Sequence, residues 1–193
     1  MVISPVVPKM LEMNKDELPT IGWREWLSLP GIGVPGIKAK IDTGARTSCL
    51  HTHDYEVIER PEGSVVRFHL HPLTRNDKIE LTCEAPLIDY KHVKDSGGHQ
   101  ENRPFIKTLA KIGNIEWELE LSLSNREGMK FRMLLGRQAL AERFIVNPAA
   151  SYLVGKNLTR HSRNQNLIGA ILFDEHQRPD HPRTLKFGRP LPK

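Results

Sequence analysis

A half-buried strand that leads directly into Asp42-Thr43-Gly44-Ala45 is the feature that most restricts how this chain can fold. Residues 38–41 alternate between polar and apolar side chains, which is the pattern of such a strand. The glycine predicts a tight bend immediately beyond it. The backbone N–H groups of Gly44 and Ala45 can then donate to the Asp42 carboxylate, while the Thr43 hydroxyl stays free to contact a neighbouring element. This is the local geometry of a catalytic carboxylate.

A second apolar strand is predicted over residues 131–135, followed by Gly136 and a short helical pattern over 138–143. Asp-Thr-Gly-Ala after a strand, with Leu-Leu-Gly-Arg at 134–137 far downstream, resembles the retropepsin-like aspartic peptidases. In that fold the downstream strand passes behind the catalytic turn, and the helix packs beneath it. The resemblance implies an all-β acid-protease barrel with one short helix after the Leu-Leu-Gly strand.

The wider context over residues 21–155 is similar to one bacterial branch of these peptidases. The similarity is carried by residues 22–26, 42–51 and 144–148. Proteins of this branch are often labelled ATP-dependent zinc proteases and are associated with RimK-type glutamate ligases. The resemblance therefore implies a peptidase (a hydrolase) with a functional link to such a ligase.

The basic charge of the chain belongs to its C-terminal part. The net charge is +5, yet residues 1–154 contain 20 basic and 20 acidic side chains, and residues 155–193 contain 8 and 3. We expect a loose leader over 1–20, a peptidase domain over 21–155 and a basic extension over 156–193. Without an aromatic and basic face in the body, nucleic acid is not an expected partner, although RNA binding by the extension stays open as an alternative.

No apolar run approaches the length that crosses a membrane, and residues 1–20 have no continuous apolar core of a signal peptide. These features predict a cytoplasmic protein with no membrane partner. Cys49 and Cys83 are the only cysteines. In that compartment free thiols are expected rather than a disulfide.

Residues 31–36 formally match the glycine fingerprint of dinucleotide-binding proteins. That fingerprint requires a helix to open from the loop, whereas Pro35 and the strand pattern over 37–41 predict a hairpin with the first strand, 21–29. No nucleotide site is expected here. No phosphate-binding loop of the Gly-x4-Gly-Lys type occurs either, so the sequence gives no support for ATP dependence.

Alternating segments separated by turn residues predict a series of antiparallel strands. The clearest is 114–124, where Trp117, Leu119, Leu121 and Leu123 are expected in the core, and Glu116, Glu118, Glu120 and Ser122 are expected in solvent. Further strands are predicted over 47–50, 55–59, 65–70, 78–83, 85–92, 103–112, 144–146 and 151–154.

Residues 94–100 form a polar turn that contains Gly97 and Gly98. The 38 residues from Gly98 to Gly136 are close to the spacing between the flap and the Leu-Leu-Gly strand in a minimal retropepsin. We therefore predict that this turn is the tip of a flap and contacts substrate, since a glycine hinge lets such a hairpin open and close.

The chain has one Asp-Thr-Gly sequence and no internal repeat. An aspartic peptidase needs two carboxylates that share a proton. Asp42 must therefore meet Asp42 of a second subunit across a two-fold axis, which makes a homodimer a requirement of the hypothesis. In that dimer the Thr43 side chain would brace the other subunit, Gly44 would permit close approach, and Ala45 would line the cleft.

Arg46 stands where retroviral members commonly have an acidic residue that pairs with the arginine of the Gly-Arg motif, here Arg137. Two guanidiniums near one cleft repel each other unless an anion lies between them. We predict that Arg46 and Arg137 bind acidic groups of a peptide substrate, such as a glutamate-rich tail. A surface ion pair of Arg46 with a glutamate is the alternative.

Two His-x-His pairs, at 51/53 and 69/71, raise the question of a zinc site. No His-Glu-x-x-His sequence occurs and no third ligand is evident. We therefore predict no metal site and no cofactor. A zinc-dependent hydrolase and a non-catalytic peptide-binding module of the same fold stay open as alternatives.

Overall fold

The computed structural model describes residues 18–73, 79–94, 98, 100–125 and 130–154, with the backbone of Lys186–Phe187. The expected leader and most of the expected basic extension lie outside these ranges. The described residues are mostly in strands, so the predicted all-β class is confirmed. Their one α-helix is four residues long, so no helix there could span a lipid bilayer.

The strands follow one another along the chain as short, mostly antiparallel segments. They are β1 (Thr20–Gly22), β2 (Arg24–Leu29), β3 (Val34–Asp42), β4 (Ser48–His51), β5 (Asp54–Ile58), β6 (Val65–Leu70), β7 (Ile79–Lys94), β8 (Gln100–Ile112), β9 (Ile115–Ser124), β10 (Met133–Gly136), β11 (Ile145–Asn147) and β12 (Lys186–Phe187). The helix α1 (Arg137–Leu140) follows β10 directly, and a 3-10 turn (Pro30–Ile32) joins β2 to β3.

One continuous sheet contains ten strands, and nine of them follow the order β2-β3-β10-β4-β9-β8-β7-β6-β5. Strand β2 also pairs with β8, through Ser28 and Lys111, so the first six strands of that order close on themselves. This closure produces the predicted barrel. Strands β5 and β6 with the first half of β7 extend the sheet beyond it, at the expected position between the Asp42 turn and the flap. β12 pairs with β7 at Glu80 and Ile79.

The hairpin predicted for the glycine-rich segment is confirmed. Gly33, with a φ of 66°, ends the 3-10 turn in the left-handed region that favours glycine, and β3 returns antiparallel to β2. No helix opens from this loop. The nucleotide fingerprint is therefore a coincidence of turn residues.

Strand β9 has the predicted apolar face, since Trp117, Leu119, Leu121 and Leu123 are all buried. The prediction was wrong for Ser122, which is 1% exposed. Its neighbours in register are Cys49 on β4 and Phe105 on β8, and these cover it from both sides. The Ser122 hydroxyl donates to the Ser48 carbonyl at 3.3 Å. A strand pattern does not contain this information, because the covering strands are distant in sequence.

The two strands predicted over 78–83 and 85–92 are a single strand, β7. A β-bulge between Leu87 and Asp89 shifts its pairing with β8. Before the bulge, odd-numbered residues such as Cys83 face the core; beyond it, odd-numbered residues such as Lys91 lie opposite Arg103 on the other face. The bulge reverses the alternation, whereas the predicted break at residue 84 lies before it, where the strand is continuous.

The C-terminal end of the barrel is tied to its beginning. β11 pairs in parallel with β1, and the buried Glu25 carboxylate accepts the N–H groups of Gly22 at 2.8 Å and Leu153 at 2.7 Å. The strand predicted over 151–154 is not formed. Tyr152, with a φ of 55°, turns the chain there, so this segment is held by Glu25 instead.

β10 lies between β3 and β4, parallel to the first and antiparallel to the second. Gly136 is opposite Asp42, and its N–H donates to the Ser48 hydroxyl at 3.1 Å. A Cβ at position 136 would lie 2.5 Å from the backbone carbonyl of Thr47, which is closer than real Cβ contacts. The absent side chain therefore lets β10 and α1 approach the chain just beyond the turn.

We expect Gly136→Ala to lower the free energy of unfolding by about 1–3 kcal/mol, because the new methyl group must push the Thr47 backbone aside. Urea unfolding followed by circular dichroism measures the change. Gly44→Ala is the matched control for the fold of one subunit, measured at a protein concentration at which both variants are monomeric. Among the described residues of that subunit its Cβ would meet the Asp42 side chain alone, at 3.4 Å, so a change below about 1 kcal/mol is expected. Equal destabilisation by the two substitutions would contradict this account.

Candidate active site

Asp42 is the last residue of β3, and its carboxylate is held by the turn that follows. Oδ1 accepts the N–H groups of Gly44 and Ala45, each at 3.2 Å, as the sequence predicted. Oδ2 lies 3.6 Å from the Lys40 ammonium group, and the Asp42 side chain is 26% exposed. The carboxylate is therefore fixed on one side and open to a reactant on the other.

The turn is also held from below by α1. The N–H groups of Arg137 and Gln138 donate to the carbonyls of Ala45 at 2.9 Å and Arg46 at 3.1 Å. The Arg137 guanidinium donates to the carbonyls of Thr43 and Gly44 at 3.4 and 3.5 Å. Arg137 does not line the groove described below. Its contacts are those of a positioning residue for the turn, and they give no support for the predicted substrate contact.

Thr43 and Gly44 form the exposed tip of the turn. The bend predicted at Gly44 is formed, with the Ala45 N–H donating to the Asp42 carbonyl at 3.2 Å, but the φ of Gly44 lies outside the left-handed region that favours glycine. Within the subunit, an added Cβ would meet only the Asp42 carboxylate, at ordinary contact distance. No described residue of the same subunit therefore requires a glycine here.

A groove of about 1440 Å³ runs from the Asp42 turn across one face of the sheet. Its floor follows a single row of paired residues: Lys40 opposite Leu134, Leu134 opposite Cys49, Cys49 opposite Ser122, and Ser122 opposite Phe105. The opposite face of the same strands forms the apolar core. Five strands thus place chemically different side chains along one line, which is long enough for an extended peptide.

The groove is strongly basic. Seven of its lining side chains are lysine or arginine and three are acidic. The basic residues are Lys40, Arg46, Lys91, Lys94, Arg103, Lys130 and Arg143, and the acidic ones are Asp42, Glu118 and Glu120. Lys91 pairs with Glu120. Arg46 is exposed and has no carboxylate partner among the described residues, so that part of the chain does not show the alternative surface ion pair.

The sequence reasoning singled out Arg46 but missed the other basic residues of the groove. Lys91, Arg103, Lys130 and Arg143 come from separate elements and form no local motif. The available signal was the alternation in β8, where odd-numbered residues occupy the face opposite the core. Only the pairing of β8 with β7 and β9 shows that this face belongs to the groove.

The predicted flap corresponds to the hairpin of β7 and β8, in which Lys94 pairs with Gln100. His92, Val93 and Lys94 of its first arm line the groove. Gly98 has a φ of 88°, which favours glycine. Gly97 lies outside the described residues, so its predicted substrate contact stays a prediction.

The two His-x-His pairs make local contacts. His69 Nδ1 lies 2.6 Å from Asp54 Oδ1, and His71 Nδ1 lies 2.8 Å from the Ile79 carbonyl. The rings of His51 and His53 have centroids 5.2 Å apart, and those of His53 and His71 4.3 Å. No group of three or more potential ligands is placed to hold a metal ion in the described ranges. Cys49 and Cys83 are both buried and form no disulfide, as predicted.

One pKa shift in this region involves the strand that carries Asp42. Partial burial, and then the charge of Arg24, lowers the pKa of Lys38. The Lys38 ammonium lies 5.0 Å from the centre of the Trp26 ring. Lys38 is on the same face of β3 as Lys40 and Asp42, so the basic character of this face continues behind the turn.

Several longer proteins match this chain at the level of sequence. A probable alpha-L-glutamate ligase of Shewanella pealeana is 41% identical over 136 residues, and one of Desulfotalea psychrophila is 41% identical over the same length. The matches cover 70% of this chain but only 30% and 29% of these relatives. The chain therefore corresponds to less than a third of each named ligase.

A solved structure has the same fold. The crystal structure of Lpg0085, a protein of unknown function from Legionella pneumophila, superposes with a TM-score of 0.59 at 24% identity, over 70% of this chain and 97% of the other. The model of one sequence family, described as RimB-like, retropepsin-like aspartic endopeptidase RimB, matches residues 20–157. That match includes the Asp42 turn, the flap hairpin and β10, and the chain therefore belongs to the RimB-like family of retropepsin-like proteins.

Proposed function

We propose that this protein is an aspartic endopeptidase that acts as a homodimer, with Asp42 from each subunit facing the other. The observation that carries the proposal is the held carboxylate. Its Oδ1 is fixed by two backbone N–H groups, its side chain is partly open to the groove, and one such turn occurs in the chain. A retropepsin mechanism needs two such aspartates, and a second subunit would supply the other one.

In the proposed dimer the two aspartates share one proton, because two like charges so close cannot both ionise. The ionised carboxylate removes a proton from water, and the water oxygen bonds to the scissile carbonyl carbon. The protonated carboxyl donates to the carbonyl oxygen. When the tetrahedral intermediate collapses, the C–N bond breaks, the carboxyl that took the proton from water gives it to the amine nitrogen, and the other carboxylate takes back the proton of the former carbonyl oxygen. The two pKa values of this pair of carboxyl groups describe the pair as a whole and cannot be assigned to one residue.

The exposed tip of the turn supports a dimer with closely approaching subunits. Thr43 and Gly44 lie on the surface, and none of the described residues of the same subunit accounts for the glycine. A second chain at this position would account for it, since a Cβ would separate the two turns. In this arrangement Thr43 braces the partner's turn, and Ala45 lines the cleft.

The substrate proposed here is an acidic, glutamate-rich peptide. Its support is the excess of lysine and arginine in the groove and the absence of a described carboxylate partner for Arg46. The relatives named probable alpha-L-glutamate ligases point the same way, because a peptidase region alongside a glutamate ligase could act on what that ligase makes. We therefore propose a functional link to a RimK-type glutamate ligase. Arg46 would bind a substrate carboxylate by a bidentate contact.

The first test is Asp42→Asn. We expect the substitution to reduce kcat for cleavage of glutamate-rich peptides by about a thousandfold or more, because the amide can neither accept nor share the proton. Mass spectrometry of a peptide-library digest measures the loss. Asp54→Asn is the control, since Asp54 is an exposed aspartate paired with His69.

The same digest is carried out with and without a chelator. Cleavage that is lost in chelator but survives Asp42→Asn would contradict the proposal and favour a zinc hydrolase. Binding of the peptides by both proteins, with cleavage by neither, would contradict it in favour of a binding module.

The second test concerns the two subunits. When wild type and Asp42→Asn are allowed to exchange subunits at equal amounts, we expect the activity to fall to about half that of the same amount of wild type alone, because mixed dimers are inactive. Asp54→Asn in place of Asp42→Asn should cause no such fall. Unchanged activity in a mixture shown to contain mixed dimers, by native mass spectrometry with a ¹⁵N-labelled variant, would contradict the shared site.

The third test is Arg46→Ala. Loss of an exposed cation that binds a carboxylate should lower kcat/KM for a glutamate-containing peptide about fivefold and leave the glutamine counterpart unchanged. Arg60→Ala is the control, because Arg60 pairs with Glu84 and does not line the groove. An equal effect of Arg46→Ala on both peptides would remove Arg46 from substrate selection.

A further inference from the structure

Arg103 is a buried arginine in the wall of the groove, and its guanidinium has one carboxylate partner. Its side chain is 6% exposed. Nε donates to Glu101 Oε2 at 2.7 Å, and Nη1 lies 3.9 Å from Cys49 Sγ. A thiol is a weak acceptor. The hydrogen bond to Glu101 uses Nε rather than the two Nη atoms, which form the fork that binds carboxylates best.

This arrangement differs from an ordinary structural ion pair. Burying a guanidinium is costly unless acceptors with good geometry surround it. Arg67 shows the fuller pairing on the same molecule, since its guanidinium contacts both Glu84 and Glu56. Arg103 is far more buried than Arg67, and the structure shows it paired with one carboxylate, that of Glu101, to which Nε donates.

Glu101 is placed to leave this contact. It lies two residues before Arg103 on β8, on the same face of the strand, and its side chain is 51% exposed. Its remaining contact is the Ser124 hydroxyl at 3.5 Å, the longest distance that a hydrogen bond allows. An exposed glutamate side chain can therefore rotate into solvent while Arg103 stays fixed.

We propose that Arg103 is a specificity-determining residue whose Nη fork binds the side-chain carboxylate of an acidic substrate, and that Glu101 occupies this subsite in the free protein. The inference rests on the proposed function and specifies where its acidic substrate is recognised. Lys91 lies opposite Arg103 on β7 and lines the same groove. An arriving glutamate forms two parallel hydrogen bonds with the fork, and Glu101 moves out because two carboxylates repel each other at one site.

Binding in the Asp42→Asn background tests the subsite without turnover. The probes are two fluorescein-labelled octapeptides, one of glutamate and one of glutamine, followed by fluorescence anisotropy at constant ionic strength. Arg103→Lys keeps the charge and removes the fork, so we expect the glutamate probe to bind roughly tenfold more weakly and the glutamine probe to be unaffected. Glu101→Gln removes the competing carboxylate, so we expect the glutamate probe to bind about threefold more tightly.

Two control variants make the same charge changes outside the groove. Arg67→Lys and Glu56→Gln alter an ion pair between β5 and β6, and neither residue lines the groove. Both are expected to leave binding of the two probes unchanged. They separate a local subsite from a general effect of net charge.

The inference is overturned if Arg103→Lys weakens both probes alike, if it matches Arg67→Lys, or if Glu101→Gln fails to tighten binding of the glutamate probe. Should Arg103→Lys lower the melting temperature strongly, Glu101→Gln alone decides, because Glu101 is exposed and its amide has the same size. A wild-type protein that cleaves neither probe, while these variants behave as expected, would refute the peptidase activity and support the subsite.

Discussion

The approach of the Gly136 backbone to the Thr47 backbone is the contact on which the site depends. It allows β10 to lie between β3 and β4 and allows α1 to begin directly beneath the turn. From there the first N–H groups of the helix reach the carbonyls of Ala45 and Arg46. The carboxylate of Asp42 thus owes its orientation to a residue far along the chain that has no side chain.

The parts of this architecture that follow from local chemistry could be predicted from the sequence. The alternation before Asp42 and the small residues after it determine both the end of β3 and the N–H groups available to the carboxylate. Pro35 excludes a helix after the first glycine loop and leaves a hairpin. The apolar segment that ends at Gly136 predicts a buried strand, although only the resemblance to a known family placed that strand behind the turn.

The parts that depend on distant pairings could not be predicted. Ser122 has the spacing of a solvent-facing residue, but β4 and β8 cover it. Arg137 has the chemistry of a substrate ligand, but the turn carbonyls lie within its reach. Arg103 resembles any charged residue of an alternating strand, and its burial becomes apparent only once β7 and β9 lie beside it. In each case the residue's environment is determined by a strand or turn that is distant in sequence, rather than by the residue's own segment.

The bulge between Leu87 and Asp89 has a consequence for how the chain can vary. Before it, odd-numbered side chains of β7 such as Cys83 are buried in the core; after it, odd-numbered side chains such as Lys91 line the charged groove. Strand β7 therefore contributes side chains to both the core and the groove, and the extra residue of the bulge determines which side chains beyond it face the groove. Loss of that residue would turn Lys91 away from the groove and place the exposed Tyr90 on the groove face, so a deletion here alters the groove more than a deletion in a loop does.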